Sequence, residues 1–387
     1  MSPYPKISTV RAFAVRLAIF YAALFAALGV QLPFLPVWLA AKGLGAEAIG
    51  IVLAVPMVVR LLAIPLAAGW ADRRDALRAT LGMAAAGSFL GYAVLALAPG
   101  PAAIVACFAL ASACYTPLMP LADSYALRGL GGRAYGPVRL WGSLAFIAGS
   151  FTAGLLSDIV AADALIWLIV SAMLLTAAAA GLLAPFESSS TAAAAVKSSP
   201  RLLLRDPGFL CIAGAASLIQ ASHAVYYGFS SLEWRAAGFG GSAIGALWAL
   251  GVAAEIVLFA VSGRLAVAPA RLLLAGAAGA TIRWCAMALT LPPALLPVLQ
   301  CLHALSFGAT HLGAVGFIAR AAPAEIGASA QGYLAVALGA VMAAAMGASG
   351  LLYAGGAGLA YGVMAAAAAA GGVLALIAAR LGVERSL

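Results

Sequence analysis

Charged side chains are scarce in this chain of 387 residues, of which 9% are Asp, Glu, Lys or Arg. An ordinary globular domain carries about 25% charged residues. Hydrophobic residues make up 65% of the chain, and the mean hydropathy is +1.09. This composition excludes a soluble fold and predicts an integral membrane protein.

Signals for metal binding, disulfides and catalysis are also lacking. The five cysteines lie in apolar runs without a CxxC pair, and the three histidines form no cluster with metal-ligand spacing. The sequence shows no nucleophile with its base and no phosphate-binding loop. We therefore predict no metal site, no bound cofactor and no enzymatic activity.

Apolar runs of about 20 residues, the length that a helix needs to cross a bilayer, recur along the chain. The twelve predicted spans lie at 12–40, 46–70, 77–98, 101–127, 137–160, 163–184, 208–235, 242–265, 270–291, 294–320, 328–352 and 357–380. The polar stretch between the sixth and the seventh span predicts a linker. We expect an all-α membrane protein with a six-helix bundle at 1–186, a cytoplasmic linker at 187–207 and a second six-helix bundle at 208–387.

The basic residues predict the orientation of the chain. The net charge is +9, but the Lys and Arg residues are spread over short segments between spans, so no nucleic-acid partner is expected. With the N-terminus inside, only Lys42 and Arg235 face outward, while Arg60 and Arg283 lie within spans. The positive-inside rule therefore predicts cytoplasmic N and C termini. We expect a multi-pass protein of a bacterial-type inner membrane.

Several segments resemble one family along the whole chain. The segment AGWADRR at 68–74 is similar to the signature that follows the second helix of major facilitator superfamily transporters, with Gly69, Asp72 and Arg73 as its conformational motif. The segments YGPVRLWGS at 135–143, SHAVYY at 222–227, LWALGVAAE at 247–255 and QCLH at 300–303 resemble the phenylpropionate permease-like branch of that superfamily. The resemblance implies two pseudo-symmetric bundles.

The same resemblance implies a function. It indicates proton-coupled symport of a small organic solute, such as an aromatic carboxylate similar to 3-phenylpropionate, by alternating access. The proton gradient would drive transport without a cofactor, and we expect a monomer in the lipid bilayer. The alternatives are a nucleoside or sugar proton symporter, a proton-antiport efflux protein for drugs or metabolites, and a membrane receptor or scaffold.

Ionisable residues in the middle of the spans are the candidates for proton coupling, because a charge in hydrocarbon is costly unless it has a partner or a use. Glu255, Arg283 and His303 lie at similar depth in the eighth, ninth and tenth spans. A lactose permease has an acid, an Arg and a His on these same spans. The alternative is a structural ion pair between Glu255 and Arg283. His311, eight residues after His303, is a weaker candidate that also suits a packing role.

Other polar and aromatic residues are candidates for substrate binding. The resemblance to lactose permease suggests Asp123 and Arg139 as a substrate-binding pair and Trp141 as a stacking platform, although Arg139 also fits a topogenic charge or a gate contact. Arg60 either reaches an acid on another helix or binds an anion. The remaining candidates lie on the seventh span, where substrate contact and packing are both open: His223, Tyr226 and Tyr227.

Overall fold

The computed structural model describes residues 7–130, 135–185, 200–264, 267–289, 292–321 and 327–381. Within these ranges the chain forms twelve long helices and no strand. The predicted all-α fold is therefore confirmed.

The first six helices are α1 (Ile7–Ala41), α2 (Ala46–Arg73), α3 (Leu77–Ala96), α4 (Pro101–Leu130), α5 (Tyr135–Ser157) and α6 (Ala162–Gly181). The other six are α7 (Pro207–Ala236), α8 (Gly241–Ser262), α9 (Pro269–Met287), α10 (Pro293–Arg320), α11 (Gly327–Ala354) and α12 (Ala357–Arg380).

Eleven of these helices are long and apolar enough to cross a membrane, counted over the described ranges. The remaining one is α9, which has 19 residues and would span about 28 Å at 1.5 Å per residue. Arg271 and Arg283 both fall within every 18-residue window of α9, and they lower its hydropathy. The helix that is least apolar therefore carries one of the candidate site residues.

Three of the helices are interrupted near their middle. In α4 the helical segments Pro101–Tyr115 and Leu118–Leu130 meet at Pro117, which has no backbone N–H to donate. In α7 the segments Pro207–Ala221 and Ala224–Ala236 meet at Ser222 and His223. In α10 a π-helical segment, Ala304–Ala309, follows His303. Such interruptions release backbone carbonyls, which side chains can then bind.

The described chain forms two compact units. Unit 1 comprises Met1–Ala48, Val55–Ser190 and Ser231–Ala249, and unit 2 comprises Ile49–Ala54, Thr191–Ser230 and Leu250–Leu387. These bounds differ from the predicted bundles at 1–186 and 208–387 by two short segments, and the predicted division stays a prediction. Most of the predicted linker at 187–207 lies outside the described residues, which omit 186–199.

Unit 1 is built on close packing of α1 against α5. A Cβ atom on Gly29 would lie 2.4 Å from the carbonyl oxygen of Phe146, and one on Gly149 would lie 2.5 Å from that of Ala26. The hydroxyl of Ser150 donates to the carbonyl oxygen of Gly29 at 2.9 Å. The two backbones are in contact because both glycines lack a side chain.

Unit 2 contains a similar contact between α9 and α10. A Cβ atom on Gly276 would lie 2.1 Å from Oγ1 of Thr310, and one on Gly279 would lie 2.6 Å from Cβ of Leu305. Both contacts touch or flank the π-helical segment. The absence of two side chains on α9 thus brings Arg283 close to α10.

The predicted conformational motif lies at the end of α2. Asp72 accepts a hydrogen bond from Arg128 of α4 at 2.9 Å, and both side chains are more than one-third exposed. The guanidinium of Arg73 lies over Gly69, where a Cβ atom would be 3.3 Å from Nη1 of Arg73. The motif therefore joins the ends of α2 and α4 through an exposed ion pair.

Candidate functional site

Three ionisable side chains meet in the interior of unit 2. Arg283 of α9 is fully buried, and its Nη1 lies 3.2 Å from Nδ1 of His303 on α10. On the other side of the ring, Nε2 of His303 lies 3.6 Å from Oε2 of Glu255 on α8. The structure thus brings together the three residues that were predicted from their similar depth in the spans. His303 lies between the acid and the base.

This arrangement determines the proton positions on the His303 ring. A guanidinium carries only donors, so Nδ1 of His303 must accept from Arg283. The ring is then neutral, and its single N–H is on Nε2, which faces Glu255. A second proton on the ring would require Arg283 to move away. Glu255 is therefore the group of the three that can take up a proton without such a rearrangement.

Arg283 is surrounded by neutral partners. Its Nη2 donates to Oε1 of Gln300 at 2.6 Å, and the guanidinium lies 4.3 Å from the ring centroid of Tyr226 and 4.6 Å from that of Trp284. Among the described residues, no carboxylate lies within 4.0 Å of Arg283. The direct ion pair with Glu255 that the sequence left open is not formed, because His303 lies between the two. Stacking on aromatic rings and hydrogen bonds stabilise the buried charge instead.

His223 fills the interruption of α7. Its Nδ1 lies 3.2 Å and 3.1 Å from the carbonyl oxygens of Ile219 and Gln220, so Nδ1 carries the proton. Its Nε2 therefore accepts from the hydroxyl of Ser306, at 3.0 Å. Both ring nitrogens of this buried residue are thus used within the protein, and the ring packs 5.5 Å from that of His303. This geometry supports the packing role that was left open for His223.

The two tyrosines of α7 differ in their surroundings. Tyr226 is buried, with 2% exposure, against the guanidinium of Arg283. Tyr227 is half-buried and stacks on His223 with ring centroids 5.5 Å apart. His311 is exposed and stacks on Phe307, which itself stacks on His303. His311 is therefore linked to the Glu255 site through an intervening ring.

Two of the candidates in unit 1, Asp123 and Arg139, both contact aromatic side chains. Oδ1 of Asp123 accepts hydrogen bonds from the hydroxyls of Tyr21, at 2.6 Å, and Tyr135, at 2.9 Å. The guanidinium of Arg139 lies 3.9 Å from the ring centroid of Phe25 and 5.4 Å from that of Tyr21. In the described chain, Asp123 and Arg139 are not within ion-pair distance of each other. They are instead joined through the ring of Tyr21.

The two other candidates in unit 1 have few polar contacts. Arg60 lies in the middle of α2 and is partly buried, and its described polar contact is with Sδ of Met57 at 4.0 Å. No described carboxylate lies within ion-pair distance of it. Trp141 is 57% exposed, on the same stripe of α5 as Leu144, Phe151 and Leu155. That stripe extends along the whole helix, which is typical of a lipid-facing surface.

Comparison with known proteins gives the family. A profile described as the MFS_1 like family matches residues 14–363. The chain belongs to the MFS_1 like family. It is 34% identical over 333 residues to the "Probable 3-phenylpropionic acid transporter" of Escherichia coli (strain K12), covering 84% of this chain and 86% of that protein. It is also 37% identical over 164 residues to the "Maltose permease" of Geobacillus stearothermophilus, covering 41% of each.

Solved structures show the same fold for this MFS_1 like protein. The nucleoside transporter NupG superposes with a TM-score of 0.79 at 15% identity, over 97% of this chain and 100% of that one. A bacterial homologue of the human lysosomal transporter Spinster, in an inward-facing and unoccupied conformation, superposes with a TM-score of 0.69 at 14% identity, over 97% and 96%. These structures agree in fold with the family match and with the 34% identical transporter, which make the protein a multi-pass membrane transporter of the major facilitator superfamily and not an enzyme.

Several members of the site were not selected from the sequence. Gln300 lies three residues before His303, on the same helical face. A Gln in the middle of a span and on the face of a candidate residue could have indicated this member of the site. Tyr21 and Ser306 carry no such signal, because single hydroxyls are common in membrane helices and only the tertiary structure brings them to Asp123 and His223. In this MFS_1 like protein the charged residues were therefore easier to find than their neutral partners.

Proposed function

We propose that the protein is a proton-coupled symporter of a small organic carboxylate with an aromatic ring, working by alternating access. The observation that carries this proposal is the contact series formed by the buried Arg283 and His303 and the partly buried Glu255. Such groups inside a membrane are costly, and they persist where they bind protons or substrates. The proposed energy source is the proton gradient, with no cofactor.

The series suggests how a proton and an anion bind together. When Glu255 is ionised, its charge faces Arg283 across the neutral ring of His303. When Glu255 takes up a proton, the buried positive charge of Arg283 is no longer balanced. An anionic substrate is then favoured, and it in turn favours the protonated form of Glu255 by the reciprocity of linked binding. Proton and carboxylate would bind cooperatively, which is the requirement for symport.

Two further features support a carboxylate as the substrate. A relative that is 34% identical is named as a probable 3-phenylpropionic acid transporter. In addition, Arg60 is a cation in the middle of α2 without a described carboxylate partner. A guanidinium binds a carboxylate with two parallel hydrogen bonds, so this residue suits the anionic end of a substrate.

The test is uptake into proteoliposomes with an imposed pH gradient. The panel comprises 3-phenylpropionate and other aromatic acids, nucleosides and sugars, and the variants are Glu255→Gln and Glu47→Gln. Glu47 is an exposed carboxylate in the first turn of α2, and it is the matched control. We expect uphill accumulation of an aromatic acid by the wild type and by Glu47→Gln. Glu255→Gln should lose accumulation but keep exchange at equilibrium.

Other outcomes would contradict the proposal. Accumulation of a nucleoside or a sugar in place of an aromatic acid would refute the carboxylate assignment. Movement of the solute against the proton flux would show antiport efflux instead of symport. Normal accumulation by Glu255→Gln would remove the residue from the coupling mechanism.

We also propose an inner-membrane location, on the basis of the bacterial relatives, and a monomeric state. The Lys and Arg distribution supports a cytoplasmic position of both termini. Reactivity of an engineered terminal cysteine toward a membrane-impermeant reagent in intact cells and in inverted vesicles tests the orientation. Light scattering of the purified protein tests the monomer.

A further inference from the structure

A cavity of about 180 Å³ lies within unit 2, between α7, α10 and α11. Most of its wall is apolar and comes from small or branched side chains: Ala216, Ala314, Val315, Leu334, Ala335 and Leu338. Its polar side chains are Gln220, Thr310, His311 and Gln331. The cavity is thus mainly apolar, with a few groups that can form hydrogen bonds.

The size of the cavity matches one aromatic ring. An apolar cavity of about 150 Å³ in another protein is known to bind benzene. The volume here is slightly larger, and the wall contains no Asp, Glu, Lys or Arg among the described residues. An ionised carboxylate would find no opposite charge in the wall. The cavity therefore suits the apolar ring of a ligand and not its charged end.

The polar groups of the cavity are held by their neighbours. Nε2 of Gln220 donates to the carbonyl oxygen of Phe307 at 3.3 Å, and the hydroxyl of Thr310 donates to that of Ser306 at 2.9 Å. Both acceptors belong to the π-helical segment. The side-chain oxygens of Gln220 and Thr310 remain able to accept hydrogen bonds. A ring with a hydroxyl substituent could be bound as well as a bare one.

The cavity is also connected to the proton-binding site by stacked rings. His311 in its wall stacks on Phe307 with an interplanar angle of 10°, and Phe307 stacks on His303 with an angle of 19°. A ligand ring in the cavity would thus contact one end of a row of three rings on α10. The other end of this row contacts Glu255.

We propose that this cavity binds the aromatic ring of the transported carboxylate, while the carboxylate itself binds elsewhere. This inference rests on the proposed function and adds to it a specific subsite for the ring. It makes Ala335 and Leu338 of α11 specificity-determining residues, because their side-chain volumes set the space for the ring.

The test is equilibrium binding by calorimetry to the purified full-length protein. The probes are 3-phenylpropionate, the neutral 3-phenylpropanol and propionate, which lacks the ring. Ala335→Leu places extra methyl groups into the cavity from an exposed position, so the fold should tolerate it. The control is Ala344→Leu, an exposed alanine nine residues later, which lies on the opposite side of α11 at about 100° per residue.

We expect Ala335→Leu to weaken binding of both ring probes by about tenfold or more, which is the usual effect of misfit methylene groups in an apolar pocket. Ala344→Leu should leave both affinities unchanged, and propionate should bind equally to all variants. In the opposite direction, Leu338→Ala should bind a naphthyl analogue of the substrate more tightly than the wild type does.

The inference is overturned if Ala335→Leu changes neither ring affinity, if Ala344→Leu has the same effect, or if the wild type binds neither ring probe. A different outcome would refute the proposed function. If Ala335→Leu weakens ring binding but a pH gradient does not drive uptake of 3-phenylpropionate, the ring subsite stands and proton symport does not.

Discussion

Arg283 donates a hydrogen bond to Nδ1 of His303 at 3.2 Å, and both side chains are buried. A buried donor that loses its acceptor costs free energy, because water cannot replace the lost partner. This one contact therefore makes His303 important for stability as well as for the proposed proton coupling.

The first prediction concerns that hydrogen bond. His303→Phe keeps a ring of similar size but leaves Nη1 of Arg283 without its acceptor, so we expect a loss of stability of about 1–3 kcal/mol. The measurement is the thermal unfolding midpoint in detergent. His311→Phe is the control, since His311 is exposed and its ring stacking on Phe307 is kept. Equal midpoints for the two variants would show that the contact contributes nothing to stability.

The second prediction concerns the packing of α9 on α10. Gly276→Ala places a methyl group 2.1 Å from Oγ1 of Thr310, next to the π-helical segment. Overpacking of this kind costs about 1–3 kcal/mol, and we expect reduced stability and transport. Gly82→Ala is the control, because nothing lies within 4 Å of a Cβ atom there. If the two variants unfold at the same temperature, the close approach of α9 and α10 is not rigid.

The third prediction concerns the end of α5. Asp158 accepts hydrogen bonds from the backbone N–H groups of Ser242, at 2.9 Å, and Gly241, at 2.5 Å, at the start of α8. Both bonds favour the ionised form and hold the pKa of the Asp158 carboxyl below its ordinary value. Hydrogen exchange at the first amides of α8 should therefore be faster in Asp158→Asn at neutral pH. Asp163→Asn, an exposed neighbour, should leave the exchange unchanged.

The pH dependence of this contact follows from the direction of the pKa shift. A carboxyl with a lowered pKa in the folded state stabilises that state above its ordinary pKa, about 3.9 for Asp, and loses this effect as the pH falls through the lowered value. The difference in thermal stability between the wild type and Asp158→Asn should be constant near neutral pH and disappear in acid. A difference that grows on acidification would contradict the assignment.

The fourth prediction concerns the exposed ion pair at the ends of α2 and α4. The side chains of Asp72 and Arg128 are 62% and 41% exposed, so solvent screens their attraction. We expect Asp72→Asn to cost less than about 1 kcal/mol of stability. If Asp72→Asn loses transport but keeps its stability, the ion pair acts on the conformational equilibrium. The transport rate and the stability of the variant are therefore measured together. A large loss of stability would mean that the pair is more than a surface contact.

Much of the fold could be predicted from the sequence, because hydrocarbon requires long apolar helices with few charges. The predicted spans overlap all twelve observed helices, and the family resemblance read from YGPVRLWGS and LWALGVAAE is confirmed by the family profile. The breaks at His223 and in Ala304–Ala309 were not predicted. Each depends on tertiary partners, such as Ser306 and Gln220, that are distant in the sequence.

From the sequence, the candidate site could be predicted only as a set of ionisable residues at similar depth in their spans. Glu255, Arg283 and His303 are adjacent in the structure, and their proposed role in proton coupling stays a prediction. Depth does not determine how a helix is rotated, and for this reason the two tyrosine hydroxyls that Asp123 faces could not be predicted. The position of His303 between the acid and the base also depends on this rotation.

The π-helical segment Ala304–Ala309 has a consequence for comparing relatives by sequence. A π turn contains about one more residue than an α turn, so it shifts the angular position of every later side chain by about 100°. A relative with one residue fewer in this segment would have a regular helix at the same place. Counting positions from His303 would then pair side chains that point in different directions. The residues of such a relative that follow the segment would have to be matched to His311 and Ala314 by the surfaces they contact.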